Sequence, residues 1–221
     1  MARILRENGL SLALFSLFLV TIVLQAVAGV NSYNHDQLEH GEATVDILEY
    51  LGTGHFMEAV FENWESEFLQ MALFVLLTVG LRQKGSPESK KLEGDEEVDE
   101  DPRLHRKDKD APWPVRQGGL VLALYEHSLS LTLFVFFVAS FLLHAAGGAA
   151  EYSAEQEVHG ESGVSMLAYI ATSRFWFESF QNWQSEFLSL GLLVVLSVYL
   201  RERGSPESKP VHHPHHATGR E

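Results

Sequence analysis

The segment Asn63-Trp64-Glu65-Ser66-Glu67-Phe68-Leu69 recurs as Asn182-Trp183-Gln184-Ser185-Glu186-Phe187-Leu188. The offset is 119 residues (182 − 63), and it aligns Leu5–Lys90 with Leu124–Lys209 without a gap. About 40 of about 86 aligned pairs are identical, far above chance for an internal comparison. Whatever fold the first stretch adopts, the second must be able to adopt it too. In each copy a polar, aromatic segment runs directly into an apolar one.

The apolar residues fall in four blocks with the charges between them. Leu10–Val30 is an apolar run of about 20 residues, the length a helix needs to cross a bilayer core. Arg3 and Arg6 precede it and Ala26-Val27-Ala28 resembles a signal-peptidase site, so a cleaved leader has to be weighed. The counterpart Leu129–Ala150 lies mid-chain, where no leader belongs, and both are read as retained spanning helices. Their C-terminal ends are rich in Ala and Gly, which lets helix backbones approach closely in lipid.

Asn31–Glu65 follows without a single Lys or Arg. It opens with a turn-like Asn-Ser-Tyr-Asn-His-Asp and reaches His40-Gly41-Glu42. Val45, Leu48 and Leu51 predict a short amphipathic helix, ended by Gly52-Thr53-Gly54. From Phe56 an apolar stripe (Met57, Val60 or Phe61, Trp64, Phe68) opposes an acidic one (Glu58, Glu62, Glu65), the pattern of a helix lying among lipid headgroups. A second spanning helix is predicted over Ser66–Leu81. It ends at Arg82 and Gly85-Ser86-Pro87-Glu88-Ser89-Lys90, a motif that serves best as a helix stop and recurs as Gly204 to Lys209.

The fold expected is all-α and membrane-embedded. Four transmembrane helices form two parallel helical-hairpin repeats, with amphipathic interfacial helices between. The organisation predicted is a first repeat over 1–91, a charged, disordered linker over 92–119, a second repeat over 120–209 and a His-rich tail over 210–221. Lys and Arg number nine from Arg82 through the linker and four from Arg201 onward, against Arg174 alone in the two acidic loops. That bias puts both termini and the linker in the cytoplasm.

Composition narrows the chemistry. A formal net charge of −14, much of it between Glu93 and Asp101, argues against a nucleic-acid partner. The absence of cysteine excludes disulfides, thiolate catalysis and cysteine metal sites. No Ser-His-Asp arrangement, phosphate loop or nucleotide fingerprint is legible, so no catalytic residue and no cofactor is assigned, and the chain is read as a non-enzyme.

The residues singled out are Asn63, Trp64 and Glu67 with Asn182, Trp183 and Glu186. In each copy Asn and Glu stand four residues apart on a helix entering the membrane, where a carboxylate is costly and a functional candidate. If the copies pack pseudo-symmetrically, the two glutamates share a proton or hold a cation; otherwise they cap helix junctions at the headgroups. His40 and Glu42 with His159 and Glu161, near Asp36 or Glu155, are weak metal candidates, since a turn built around the Gly explains the motif. Gln25 and His144, aligned but not identical, extend a polar patch. The tail histidines His212, His213, His215 and His216 suit nickel, copper or zinc but lie outside the duplicated unit.

Asn-Trp-x-Ser-Glu-Phe-Leu, the later Gly-Ser-Pro-Glu-Ser and the opening Leu5-Arg6-Glu7-Asn8-Gly9-Leu10-Ser11-Leu12 resemble a family of bacterial integral membrane proteins known only as a domain of unknown function. The resemblance covers all but the linker and tail, and implies a membrane protein of bacterial origin; with the predicted spans and charge bias, the expectation is a multi-pass protein of the bacterial cytoplasmic (inner) membrane. The function expected is that of an envelope scaffold or interaction protein, its partners the lipid bilayer and either further copies of itself or other membrane proteins. The alternative is a small oligomeric proton- or cation-linked transporter or channel using Glu67 and Glu186. A metal-dependent membrane enzyme comes third.

Overall fold

The computed structural model describes residues 2–219, and of Ala2 only the backbone. Arg220 and Glu221, at the end of the His-rich tail, and Met1, at the start of the first repeat, lie outside the described residues. Every regular element is helical. In order they are α1 (Ala2–Glu39), α2 (Ile47–Tyr50), α3 (Gly54–Gly80), α4 (Trp113–Gln117), α5 (Gly119–Glu126), α6 (Ser128–Val158), α7 (Met166–Ile170) and α8 (Ser173–Tyr199). Two of them, α1 from Arg3 and α6, are long and apolar enough to cross a membrane.

The first apolar helix does not stop at Val30. The turn expected from Asn31 onward is helix through Glu39, and the aligned helix likewise runs on to Val158. The Asn31 amide donates to the Val27 carbonyl at 2.6 Å inside α1. Asn34 reaches across to the backbone N–H and carbonyl of Val45, at 2.8 and 2.9 Å. Ser153 does the same with Val164. The polar side chains that suggested a turn satisfy backbone groups of the helix or of the strand of loop that follows it.

Residues related by the 119-residue offset repeat one another's local geometry. Asn8 breaks the α1 helical backbone, and His127 separates α5 from α6. Gly41 and Gly160 have φ of +77° and +76°. Thr53 and Thr172 each donate to the carbonyl three residues back and accept the N–H three residues ahead. After α3, the Gln83 N–H is taken by Ser89 Oγ and the Glu88 N–H by Ser86 Oγ; after α8, Ser208 and Ser205 do the same for Glu202 and Glu207. The Gly-Ser-Pro-Glu-Ser motif is thus a serine-closed turn.

The chain divides into two compact units, Met1–Glu62 with Phe141–Trp176, and Asn63–Ser140 with Phe177–Glu221. In the first, Ala145, Ala149, Tyr169 and Phe175 form the buried core. In the second, Phe68 packs on Phe136, with ring centres 5.1 Å apart, and Val115 and Leu122 are buried in α4 and α5. Two 3-10 turns, Glu97–Asp99 and Pro102–His105, lie between α3 and α4. The tail meets the turn after α3: Thr218 Oγ1 accepts from the Gly85 N–H at 2.8 Å, and the Gly219 N–H donates to Ser86 O at 3.0 Å. Lys209, buried, donates to the carbonyls of Pro214, His215 and Ala217.

Candidate functional site

The first unit holds its polar groups where two helix backbones touch. A Cβ on Gly54 would lie 2.7 Å from both Gly147 O and Glu151 N, and one on Gly147 would lie 2.6 Å from Glu58 N. Glycine at both positions is what lets the start of α3 cross α6 this closely. The crossing carries Glu58 in beside His144, one turn before Gly147 on α6. A carboxylate oxygen of Glu58 and a ring nitrogen of His144 lie within 4.8 Å of each other.

Both side chains are sequestered, Glu58 at 8% exposure and His144 at 0%. Tyr169, from α7, sits in a notch left by Gly148 and donates its hydroxyl to Glu58 Oε1 at 3.0 Å. The His144 ring stacks on Phe175, with centres 4.8 Å apart and planes 26° from parallel. A carboxyl and an imidazole together can hold no proton, one proton (as an ion pair or as a neutral acid beside a neutral base) or two. Burial disfavours states of net charge, so the singly protonated pair, neutral overall, is the one that these surroundings favour.

A second polar layer adjoins the N-terminus of α3. The Tyr50 hydroxyl and His55 Nδ1 are hydrogen-bonded at 3.0 Å, and the Tyr33 ring lies 5.7 Å from that of Tyr50. The His55 backbone N–H, in the first turn of α3, bonds the Glu151 carboxylate, which suits the positive end of the helix dipole. Burial, with the Glu151 charge and Tyr33 nearby, pushes the Tyr50 phenol above its ordinary range, so this layer keeps the hydroxyl proton.

The acidic stripe on α3 is in large part sequestered. Glu58 and Glu65 are buried rather than turned outward, while large apolar residues such as Leu76, Leu77 and Val79 are exposed farther along the helix. Periodicity identifies the two faces of a helix, but when the surroundings are apolar the polar face turns in.

The duplicated Asn-Trp-x-Ser-Glu motif lies in the second unit. Trp183 Nε1 donates to Glu65 Oε1 at 2.9 Å, so the motif's buried acid is at its variable position. Ser66 and Ser185 donate to the carbonyls of Asn63 and Asn182. Gln70 Nε2 donates to Glu186 O at 3.3 Å. Glu67 is exposed and feels the charge of Glu186, while Trp64 is partly buried.

His40 and His159 close the C-terminal ends of α1 and α6. The Glu42 N–H bonds Gln37 O at 2.8 Å and the Glu161 N–H bonds Gln156 O at 2.9 Å, across a glycine in the left-handed region. The two imidazoles line one pocket, whereas Glu42 and Glu161 do not line it.

Of the central cluster, sequence reading singled out only His144, and left Glu58 as one member of an acidic stripe. Tyr50 and Tyr169 carried one usable signal, identity at the 119-residue offset opposite Gly29 and Gly148, themselves identical. The match that decides the family spans nearly everything described above. The chain belongs to DUF6766, a domain of unknown function. The family model covers residues 1–220. No curated protein and no solved structure matches it. Within this DUF6766 chain the buried Glu58, His144 and Tyr169 are the residues whose chemistry their surroundings most constrain.

Proposed function

We propose that this DUF6766 chain is a multi-pass protein of the bacterial inner membrane that binds and passes a proton or a small cation at Glu58 and His144. Four helices span: the apolar parts of α1, α3, α6 and α8. They form two parallel hairpins, with both termini and the joining segment cytoplasmic. The observation that carries the reading is an acid and a base, both more than nine-tenths buried and adjacent, the base on α6, which is long and apolar enough to cross a membrane. An ionisable side chain at membrane depth is expensive to keep, and a function is its default explanation.

The scaffold reading is supported by a different observation. Along α1 the large apolar side chains from Leu10 to Leu24 are exposed with few exceptions, Leu10 at 74% and Phe15 at 69%. That surface suits lipid or a second copy of the chain.

The two are separated by reconstitution in liposomes and measurement of proton and cation flux. Transport at the cluster requires that Glu58→Gln and His144→Gln each abolish flux while the protein remains folded, and that the Glu67→Gln/Glu186→Gln variant keep it. Absence of flux in the unaltered protein, or flux indifferent to Glu58 and His144, would sink the transport reading and leave assembly.

A further inference from the structure

We infer that the groove between α3 and α8 holds one molecule of a zwitterionic aminophospholipid such as phosphatidylethanolamine, with its phosphate at Arg82, its ammonium at Glu88 and an acyl chain against Gly191. The inference rests on the reading that α3 and α8 span, but not on transport at Glu58 and His144.

The walls are apolar. Phe74 and Leu77 of α3 and Phe187, Leu190 and Val194 of α8 line an open groove of about 410 Å³, the size and character of a small-molecule site. From Phe187 to Val195 α8 rises about 12 Å, within the half of a hydrocarbon core of about 30 Å that one leaflet supplies. Gly191 stands in the middle of that wall, and a Cβ there would meet nothing within 4 Å. The aligned residue of the first copy, Ala72, is buried. Glycine weakens a helix interior relative to alanine, and no neighbour demands it at 191. What it provides is a deeper groove, with helix backbone open to the approach of an acyl chain.

The charges of the lining, Arg82 and Glu88, both come from the turn after α3 and so stand at one end. Arg82 is steadied by backbone carbonyls: Nε donates to Lys91 O at 3.3 Å and Nη1 to Val79 O at 3.1 Å. Nη2 has no partner among the described residues. In the second copy the tail takes the matching nitrogen, Arg201 Nη2 donating to His213 O at 3.3 Å. A guanidinium with an open donor at the end of a spanning helix suits a phosphate oxygen. Glu88 at the same mouth repels a second negative charge and attracts an ammonium. A primary ammonium also donates hydrogen bonds to a carboxylate, which the methylated nitrogen of choline cannot. Acyl chain, phosphate and primary ammonium together describe an aminophospholipid.

The chain has no cysteine, so Leu76→Cys and Leu196→Cys, at exposed positions of α3 and α8, test the span first. In vesicles both should resist a water-soluble maleimide; labelling of either overturns the spanning reading and the lipid site with it. With both protected, native mass spectrometry of the full chain in detergent, titrated with phosphatidylethanolamine, phosphatidylcholine or phosphatidylglycerol, tests the site alone. One phosphatidylethanolamine is expected per chain, bound at least about tenfold more tightly than either other lipid, with affinity falling at least about tenfold in Arg82→Gln and in Gly191→Leu. Glu88→Gln should lose the preference among the three lipids, and Lys84→Gln, outside the lining, should bind as the parent does. Melting curves establish that each variant is folded; if Arg82→Gln is not, Gly191→Leu, whose side chain enters open space, decides. Equal binding of the three lipids, binding unchanged by Arg82→Gln and Gly191→Leu, or a dimer that carries no lipid overturns the proposal.

Discussion

Tyr50 fills the notch at Gly29 so closely that a Cβ on the glycine would stand 2.1 Å from the phenol oxygen. Tyr169 meets Gly148 in the same way, at 2.7 Å from its oxygen and 2.5 Å from its nearest ring carbon. Both tyrosines are buried, so neither can swing into solvent. Gly29→Ala and Gly148→Ala are therefore expected to lower stability by about 1–3 kcal/mol each, the usual cost of overpacking. Thermal unfolding in detergent reads this directly, with Gly9→Ala, where an added Cβ meets nothing within 4 Å, as a control that should melt as the parent does.

The Tyr169–Glu58 bond makes a sharper prediction. Tyr169→Phe removes a donor from a buried carboxylate and should cost about 1–3 kcal/mol. Glu58→Gln keeps an acceptor for the hydroxyl and should cost less. Because buried charges contribute little net stability, Tyr169→Phe combined with Glu58→Leu should recover much of the loss from Tyr169→Phe alone. A double-mutant cycle on melting free energies measures the coupling. Coupling near zero would mean that the hydrogen bond is not formed in solution.

Trp183 supports Glu65 as Tyr169 supports Glu58. Trp183→Phe keeps the aromatic packing and deletes the Nε1 donor, so a loss of about 1.5–3 kcal/mol is expected, the range for a hydrogen bond to a charged group. Trp64→Phe is the comparison, since the residue after Trp183 is Gln184 rather than an acid. Chemical denaturation of the two variants side by side tests it.

The existence of the long apolar helices was legible from apolar run length, and the repeated turns from the 119-residue offset. Three things were not. The extension of α1 to Glu39 was hidden because asparagine favours turns in isolation; only the distant Val45 shows what Asn34 bonds. The burial of Glu58 and Glu65 was hidden because periodicity does not say which face is inside. Glu58 and His144 also escaped a search for identical pairs, being aligned with Phe177 and Gln25. The offset finds what both stretches share, and this cluster is what they do not.

His105 gives a pH-dependent prediction away from the apolar helices. Its Nδ1 lies 2.7 Å from Asp108 Oδ2 and its Nε2 3.2 Å from Glu100 Oε1. The hydrogen bond to Asp108, then that to Glu100, raises its pKa above the ordinary 6.5. Raised in the folded state, this histidine favours the local fold fully below pH 6.5, and the contribution disappears as pH rises through the folded value. NMR titration should give a midpoint above 6.5, returning toward it in Asp108→Asn. A midpoint at or below the ordinary value in the parent would contradict the paired geometry.

The crossing of α3 and α6 at Gly54 and Gly147 has an evolutionary consequence. Two identical halves would present two equivalent clusters or none, because every substitution would appear in both. This chain keeps its acid in the first stretch and its imidazole in the second, with phenylalanine and glutamine at the matching places. The cluster in its present, one-sided form therefore requires two diverged copies, and neither half expressed by itself can contain it.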